Sequence, residues 1–190
     1  HLCARLGVTV NLLPMADTPI RTLIETAGGP LAFQDYFVRR RAEPVVQGIR
    51  YDGATKAPPN AALASLLTDP DLAGIFIAPS NPWLSIDPIT AIPSLAAALR
   101  STTAPVIAVS PIVGGRALKG PTAKIMGELG LPVSAGAIAA HYGDLLDGFI
   151  LDDADRAEAD PLIAGGLAVG ATHTVMHTLE DRIHLARFAL

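Results

Sequence analysis

Among its 190 residues this chain has one cysteine, Cys3. A single thiol excludes an intramolecular disulfide and suits a reducing compartment. Long apolar runs are also missing. Half the residues are hydrophobic, yet no run approaches the ~18 consecutive apolar residues that a membrane span needs. Positive charge is scarce as well: 14 Lys and Arg stand against 18 Asp and Glu, for a net charge of −4. That balance carries no nucleic-acid footprint, and the one basic run, Arg39-Arg40-Arg41, reads as a solvated helix end. No G-x-G-x-x-G occurs. The opening HLCARLG reads as helix and not as the apolar stretch of a signal peptide. A cytoplasmic protein is the resulting expectation.

What is present alternates. Short apolar segments, GIFIA at 74–78, PVIAV at 105–109 and DGFILD at 147–152, are separated by helical patterns. Each reads as a strand buried on both faces. ATHTVM at 171–176 is a fourth strand by the same reading. Helices are expected at 61–68, where Asn60 can cap, from about Pro121, and over Ser134–Tyr142. Another follows Thr178, with Asp181 placed for a reciprocal cap. Such alternation predicts an α/β fold, Rossmann-like and doubly wound around a mainly parallel sheet. VTVNLLP at 8–14, IRTLIET at 20–26 and VVQGIRY at 45–51 also read as strands, and Phe33, Tyr36, Phe37 and Arg40 recur at helical intervals. Residues 28–60 are the least regular part, a small irregular insertion within what otherwise reads as one domain.

In open parallel sheets ligands bind beyond the carboxyl ends of the strands. Two loops leave such ends here, Pro79–Asp87 and Ser110–Gly120, and both are expected over one shared cleft. The second belongs to the stretch VIAVSPIVGGRALKGPTAK. Its glycines could let backbone N–H groups approach an anion, with Lys119 and Lys124 adding charge. The competing reading is an ordinary glycine turn with solvated lysines. A P-loop is excluded, because Pro121 stands where G-x-x-x-x-G-K-[ST] requires lysine. In the first loop Ser80 and Asn81 offer polar groups for a base or ribose. Trp83, the only tryptophan, either stacks on a flat ring or fills the core.

Other constellations carry less. His173, His177 and His184 crowd one stretch, but not with the single-face spacing of a zinc site. DDADRAEAD at 152–160 lacks a calcium-loop pattern and reads as a solvated loop. Ser110 and His141 lack the G-x-S-x-G elbow of a hydrolase.

The segments LLPMADTPIRT, FQDYFVRRR, IAPSNPWLSIDPI, VIAVSPIVGGRALKGPTAKIMGELG and HYGDLLDGFILD together resemble the 2-phospho-L-lactate transferase family, called CofD in archaea and FbiA in mycobacteria. The resemblance runs over essentially the whole chain. It implies a transferase of coenzyme F-420 biosynthesis. A guanosine diphosphate conjugate would donate a phospho-acid group, of the phospholactyl or phosphoenolpyruvyl type. The ribityl hydroxyl of 7,8-didemethyl-8-hydroxy-5-deazariboflavin would accept it, and GMP would leave. The donor's diphosphate and guanosine are expected at Ser110, Pro111, Ile112, Val113, Gly114, Gly115, Lys119 and Gly120. Ser80, Asn81 and Pro82 are expected on the floor of that cleft, and Trp83 near the deazaflavin. The family depends on Mg²⁺. Its metal ligands and catalytic residues are expected outside these 190 residues, in an N-terminal part that precedes His1 in family members. The family leans toward a homodimer. Two alternatives stay open at this point: a non-catalytic nucleotide-binding regulator of the related gluconeogenesis-factor type, and an inactive fragment.

Overall fold

The computed structural model describes residues 2–190; His1, the first residue of the helix-like opening, lies outside them. In chain order the elements begin with α1 (Leu2–Arg5), β1 (Arg21–Glu25), β2 (Leu31–Ala32), β3 (Gly48–Asp52), α2 (Ala61–Leu67) and β4 (Ile75–Ile77). Then follow α3 (Asp87–Thr90), α4 (Pro93–Ser101), β5 (Val106–Val109), β6 (Ile112–Val113), β7 (Arg116–Ala117), α5 (Thr122–Glu128) and α6 (Ala135–Tyr142). The chain closes with β8 (Gly148–Asp152), α7 (Ala159–Ala164), β9 (Ala168–Thr172) and α8 (Leu179–Ala189).

The central sheet has the order β4-β5-β8-β9 and is parallel throughout. All five residues of β8 are buried, as a central strand under helices on both faces demands. Alternate residues sort to the two sides. Val106, Ala108, Phe149 and Leu151 face a core shared with Ile125 and Met126 of α5 and Ile138 of α6. Val109 and Ile150 point the other way and meet Leu185 of α8. Helices on both faces make the fold Rossmann-like and doubly wound.

The caps hold as their chemistry dictates. Asn60 Oδ1 accepts from the Ala62 and Leu63 N–H groups at the start of α2. Ser134 does the same for Ala137 in α6. Thr178 and Asp181 form the reciprocal box that opens α8.

Several expectations are corrected. Residues 8–14 form no strand: the alternation is there, but this surface segment finds no strand partner among the described residues, and Val10 and Leu12 are about 70% exposed (69% and 70%). GIFIA is not buried on both faces. Its strand β4 lies at the edge of the described sheet, and Phe76 is 46% exposed. ATHTVM is out of register with the real strand. β9 starts three residues earlier and ends at Thr172, so His173–Met176 leave the sheet as loop. Pairing with β8 from Gly148↔Ala168 to Asp152↔Thr172 decides this, not local propensity. The stretch 28–60 is more regular than expected. β2 and β3 flank β1 in a three-stranded antiparallel sheet, and one wide π-type helical turn spans Asp35–Arg39.

Candidate nucleotide-binding cleft

A cavity of about 580 Å³ opens over the carboxyl ends of β4, β5 and β9. The loop after β4 contributes Pro79, Ser80, Asn81, Leu84 and Ser85. The loop after β5 contributes Ser110, Pro111 and Val113, then Leu118 to Thr122. Thr174 to His177 supply a third wall, and Phe33 and Phe37 close it from the side of the antiparallel layer. The two loops expected to share a cleft do share one, because parallel strands deliver their exits to the same end of the sheet.

On the β4 side, Asn81 caps the helical turn Pro82–Ile86: its Oδ1 accepts from the Leu84 N–H at 3.0 Å. Its Nδ2 is buried and has no hydrogen-bond partner among the described residues. An orphaned buried amide costs on the order of 1–3 kcal/mol. Pro82 and Trp83 are buried and do not line the cavity. Trp83 packs on His141 with ring centres 4.7 Å apart, and its carbonyl accepts from the Tyr51 hydroxyl at 2.5 Å. It fills the core and does not reach the cleft, contrary to the expectation of Trp83 beside a deazaflavin. Asp87 joins this network, accepting from Tyr51 and lying 2.9 Å from His141 Nε2. Burial, with the Asp87 charge beside them, pushes the Tyr51 and Tyr142 hydroxyls well above the usual tyrosine range.

On the β5 side, the buried Ser110 hydroxyl donates to the Ile112 carbonyl and accepts from the Ile112 N–H. It folds its own turn, which leaves it poorly placed as a nucleophile. Ile112 is fully buried. The glycine pair has a local cause. β6 and β7 form a two-residue hairpin, and Gly114 and Gly115 both have positive φ, +57° and +69°. A type I′ turn needs that at both positions, and glycine supplies it without strain. Neither glycine lines the cavity. The Gly114 N–H points to both carboxylate oxygens of Asp155, at 3.0 and 2.9 Å. The glycine amides are therefore no anion cradle; they grip a buried carboxylate. The cationic wall is Lys119 with Gly120, and Lys119 makes no ion pair among the described residues. Lys124 points elsewhere, to the Pro44 carbonyl and Glu128.

Several cavity residues were not picked out from sequence. Phe33 and Phe37 stack at 5.4 Å; their i, i+4 spacing was visible, but not the side they face. Thr174–His177 were hidden by the misplaced end of β9. Asp152 and Asp155, read as part of a solvated loop, are only 5% and 6% exposed. Burial would raise the Asp152 carboxyl, but N–H groups of Thr174 and Ala154 and the Thr174 hydroxyl outweigh it and hold it below the usual range. Burial raises Asp155, with Glu158 and Asp152 nearby adding to the rise. The three histidines do not converge: His177 lines the cavity, His184 bonds Thr172, and His173 lies 4.0 Å from Asp152.

The resemblance implies magnesium with its ligands outside these residues, and the described residues offer no set of their own to hold it. Among the described residues no three His, Cys, Asp or Glu side chains come together to hold a metal, and the buried carboxylates are taken up by backbone amides. Also among the described residues, no helix is long and apolar enough to cross a membrane.

The cleft lies where open α/β sheets bind their ligands, beyond the carboxyl ends of parallel strands, and Lys119 stands in its wall. Comparison with known proteins narrows this. A family model, 2-phospho-L-lactate transferase CofD, matches residues 1–169, and the chain belongs to that transferase family. It is similar to the 2-phospho-L-lactate transferase of Methanosarcina mazei, 35% identical over 189 residues, covering 100% of this chain and 61% of the relative. It is also 35% identical over 194 residues to the phosphoenolpyruvate transferase of Kitasatospora aureofaciens, covering 60% of that protein. The chain thus spans about three fifths of these relatives' length. Among solved structures, a UPF0052-family protein from Bacillus halodurans shares the fold, with a TM-score of 0.62 at 14% identity over 98% of this chain and 64% of that one.

Proposed function

We propose that this chain carries the nucleotide-side cleft of a transferase of coenzyme F-420 biosynthesis, acting in the cytoplasm. The donor is a guanosine diphosphate conjugate of a small phospho-acid, and the acceptor is the ribityl hydroxyl of 7,8-didemethyl-8-hydroxy-5-deazariboflavin. The acceptor oxygen attacks the phosphorus that bears the acid. The bond from that phosphorus to the bridging oxygen breaks, GMP leaves with the electron pair, and the acceptor's proton passes to solvent. Chemistry of this kind asks for positioning and for neutralisation of charge on the leaving phosphate.

The observation that carries the reading is Lys119 in the wall of a cavity at the carboxyl edge of the sheet, which Ser80 and Asn81 also line. In this reading the Lys119 ammonium meets the donor's diphosphate, where negative charge grows as GMP leaves. Ser80 and Asn81 meet the nucleoside.

Calorimetric titration with GDP tests the assignment. The 190-residue chain should bind it, and Lys119→Ala should weaken binding about tenfold or more, the worth of a charge-assisted hydrogen bond. Lys124→Ala should leave the affinity unchanged. Absence of GDP binding, or equal affinities for all three proteins, removes the reading.

A further inference from the structure

Three carboxylates follow one another at the exit of β8: Asp152, Asp155 and Glu158. Each accepts a backbone N–H from a different segment of the chain. Asp152 Oδ2 takes the Thr174 N–H at 2.8 Å and the Thr174 hydroxyl at 3.0 Å. Asp155 takes the Gly114 N–H with both oxygens. Glu158 Oε2 takes the Gly136 N–H in the first turn of α6, at 2.6 Å.

Asp155 is the one with the greatest leverage. The hairpin it grips has strands of only two residues each, Ile112–Val113 and Arg116–Ala117. Two-stranded ribbons are marginal even when longer, so this one needs an external anchor at its tip. Its second strand runs directly into Leu118 and Lys119, both in the cavity wall. Keeping a carboxylate this buried is costly unless it is well bonded, and here the bond is spent on the turn that carries the cationic wall.

We propose that Asp155 is a positioning residue for the cleft: by holding the Gly114 amide it sets where the β6–β7 hairpin, and hence Lys119, stands relative to the opposite wall at Asn81. This inference rests on the reading of the cleft as a phosphate site. Asp152, holding Thr174 from the same turn, sets the third wall in the same way, so the width of the cleft is fixed from the end of the central strand.

The test is a double-mutant cycle in the 190-residue chain, with GDP as the probe and calorimetry as the readout. Asp155→Ala should weaken GDP binding about tenfold, and Asp155→Asn, which keeps one acceptor for the amide, by less than about threefold. In a Lys119→Ala background, Asp155→Ala should cost less than about twofold more, because its effect passes through Lys119. Additive losses, or an unchanged affinity in Asp155→Ala, overturn the proposal. Should Asp155→Ala be recovered unfolded, Asp155→Ser replaces it in the same cycle under the same criteria. Hydrogen exchange separates this inference from the functional reading. If the wild type does not bind GDP, the phosphate reading fails alone. The positioning role then stands only if Asp155→Ala speeds amide exchange across 112–119 while α8 stays protected, and it falls if that segment is unchanged.

Discussion

Lys124 Nζ lies 2.6 Å from Glu128 Oε1 one helical turn away, and the pair faces the antiparallel layer instead of the cleft. Lys124 also donates to the Pro44 carbonyl, while Glu128 Oε2 accepts the Val46 N–H. The two side chains thus clip α5 to residues 44–46. Removing each should have unequal effects. Glu128→Ala strands the N–H of a fully buried residue and should cost about 1–3 kcal/mol. Lys124, 34% exposed in its side chain, should cost no more than about 1 kcal/mol on substitution by Ala. Urea unfolding measures both, and a larger loss from Lys124→Ala would contradict this arrangement.

Trp83 is 6% exposed and packs against His141. Trp83→Ala should therefore lower stability by about 3–5 kcal/mol, as large buried aromatics do, and Trp83→Phe by clearly less. Thermal unfolding followed by circular dichroism reads the difference. A Trp83→Ala protein with wild-type stability and altered ligand affinity would return this side chain to the cleft.

The depressed Asp152 carboxyl gives stability a defined acid dependence. A group whose folded pKa lies below its ordinary value, here 3.8, contributes stability above that value and loses it as pH falls through the folded one. The wild type should thus exceed Asp152→Asn in melting temperature at pH 7, and the gap should shrink by about pH 3. Asp155 has the opposite sign. Its raised carboxyl contributes stability below 3.8 that is lost as pH rises through the folded value, so it cannot produce the same trend. Melting curves at the two pH values check the prediction, and a constant gap would refute it.

Gly170 in β9 sits under the ring of Phe188, and a Cβ there would lie 2.6 Å from Phe188 Cε1. Gly170→Ala should push that ring off the sheet and loosen the last turn of α8. Phe188 is 45% exposed, so its ring can swing aside, and the cost should stay at or below about 1 kcal/mol, the low end for overpacking. In a Phe188→Ala background the same substitution should cost much less. Equal costs in both backgrounds would mean that Phe188 is not the obstacle.

Much of the fold was legible because its signals are local. β5 and β8 stand out as apolar runs of strand length, and Asn60, Ser134 and Thr178 mark helix starts through hydrogen bonds that reach no further than three residues. The position of the cleft was also legible, since it follows from strand polarity. The end of β9 was not, because its register is set by β8, about twenty residues earlier in the chain.

By itself, then, the sequence determined an α/β alternation, the capped helices, the two loops at the carboxyl edge of the sheet and the family to which the chain belongs. What each polar group in those loops does came from the packing of distant segments. Gly114 could offer its amide to a ligand or to Asp155, and Trp83 could turn to the cleft or to His141. In each pair the sequence is the same, and the outcome depends on partners 41 and 58 residues away. A backbone amide or an aromatic ring has no preference written into its neighbours; the choice falls to whichever acceptor or apolar surface the packed chain brings within reach.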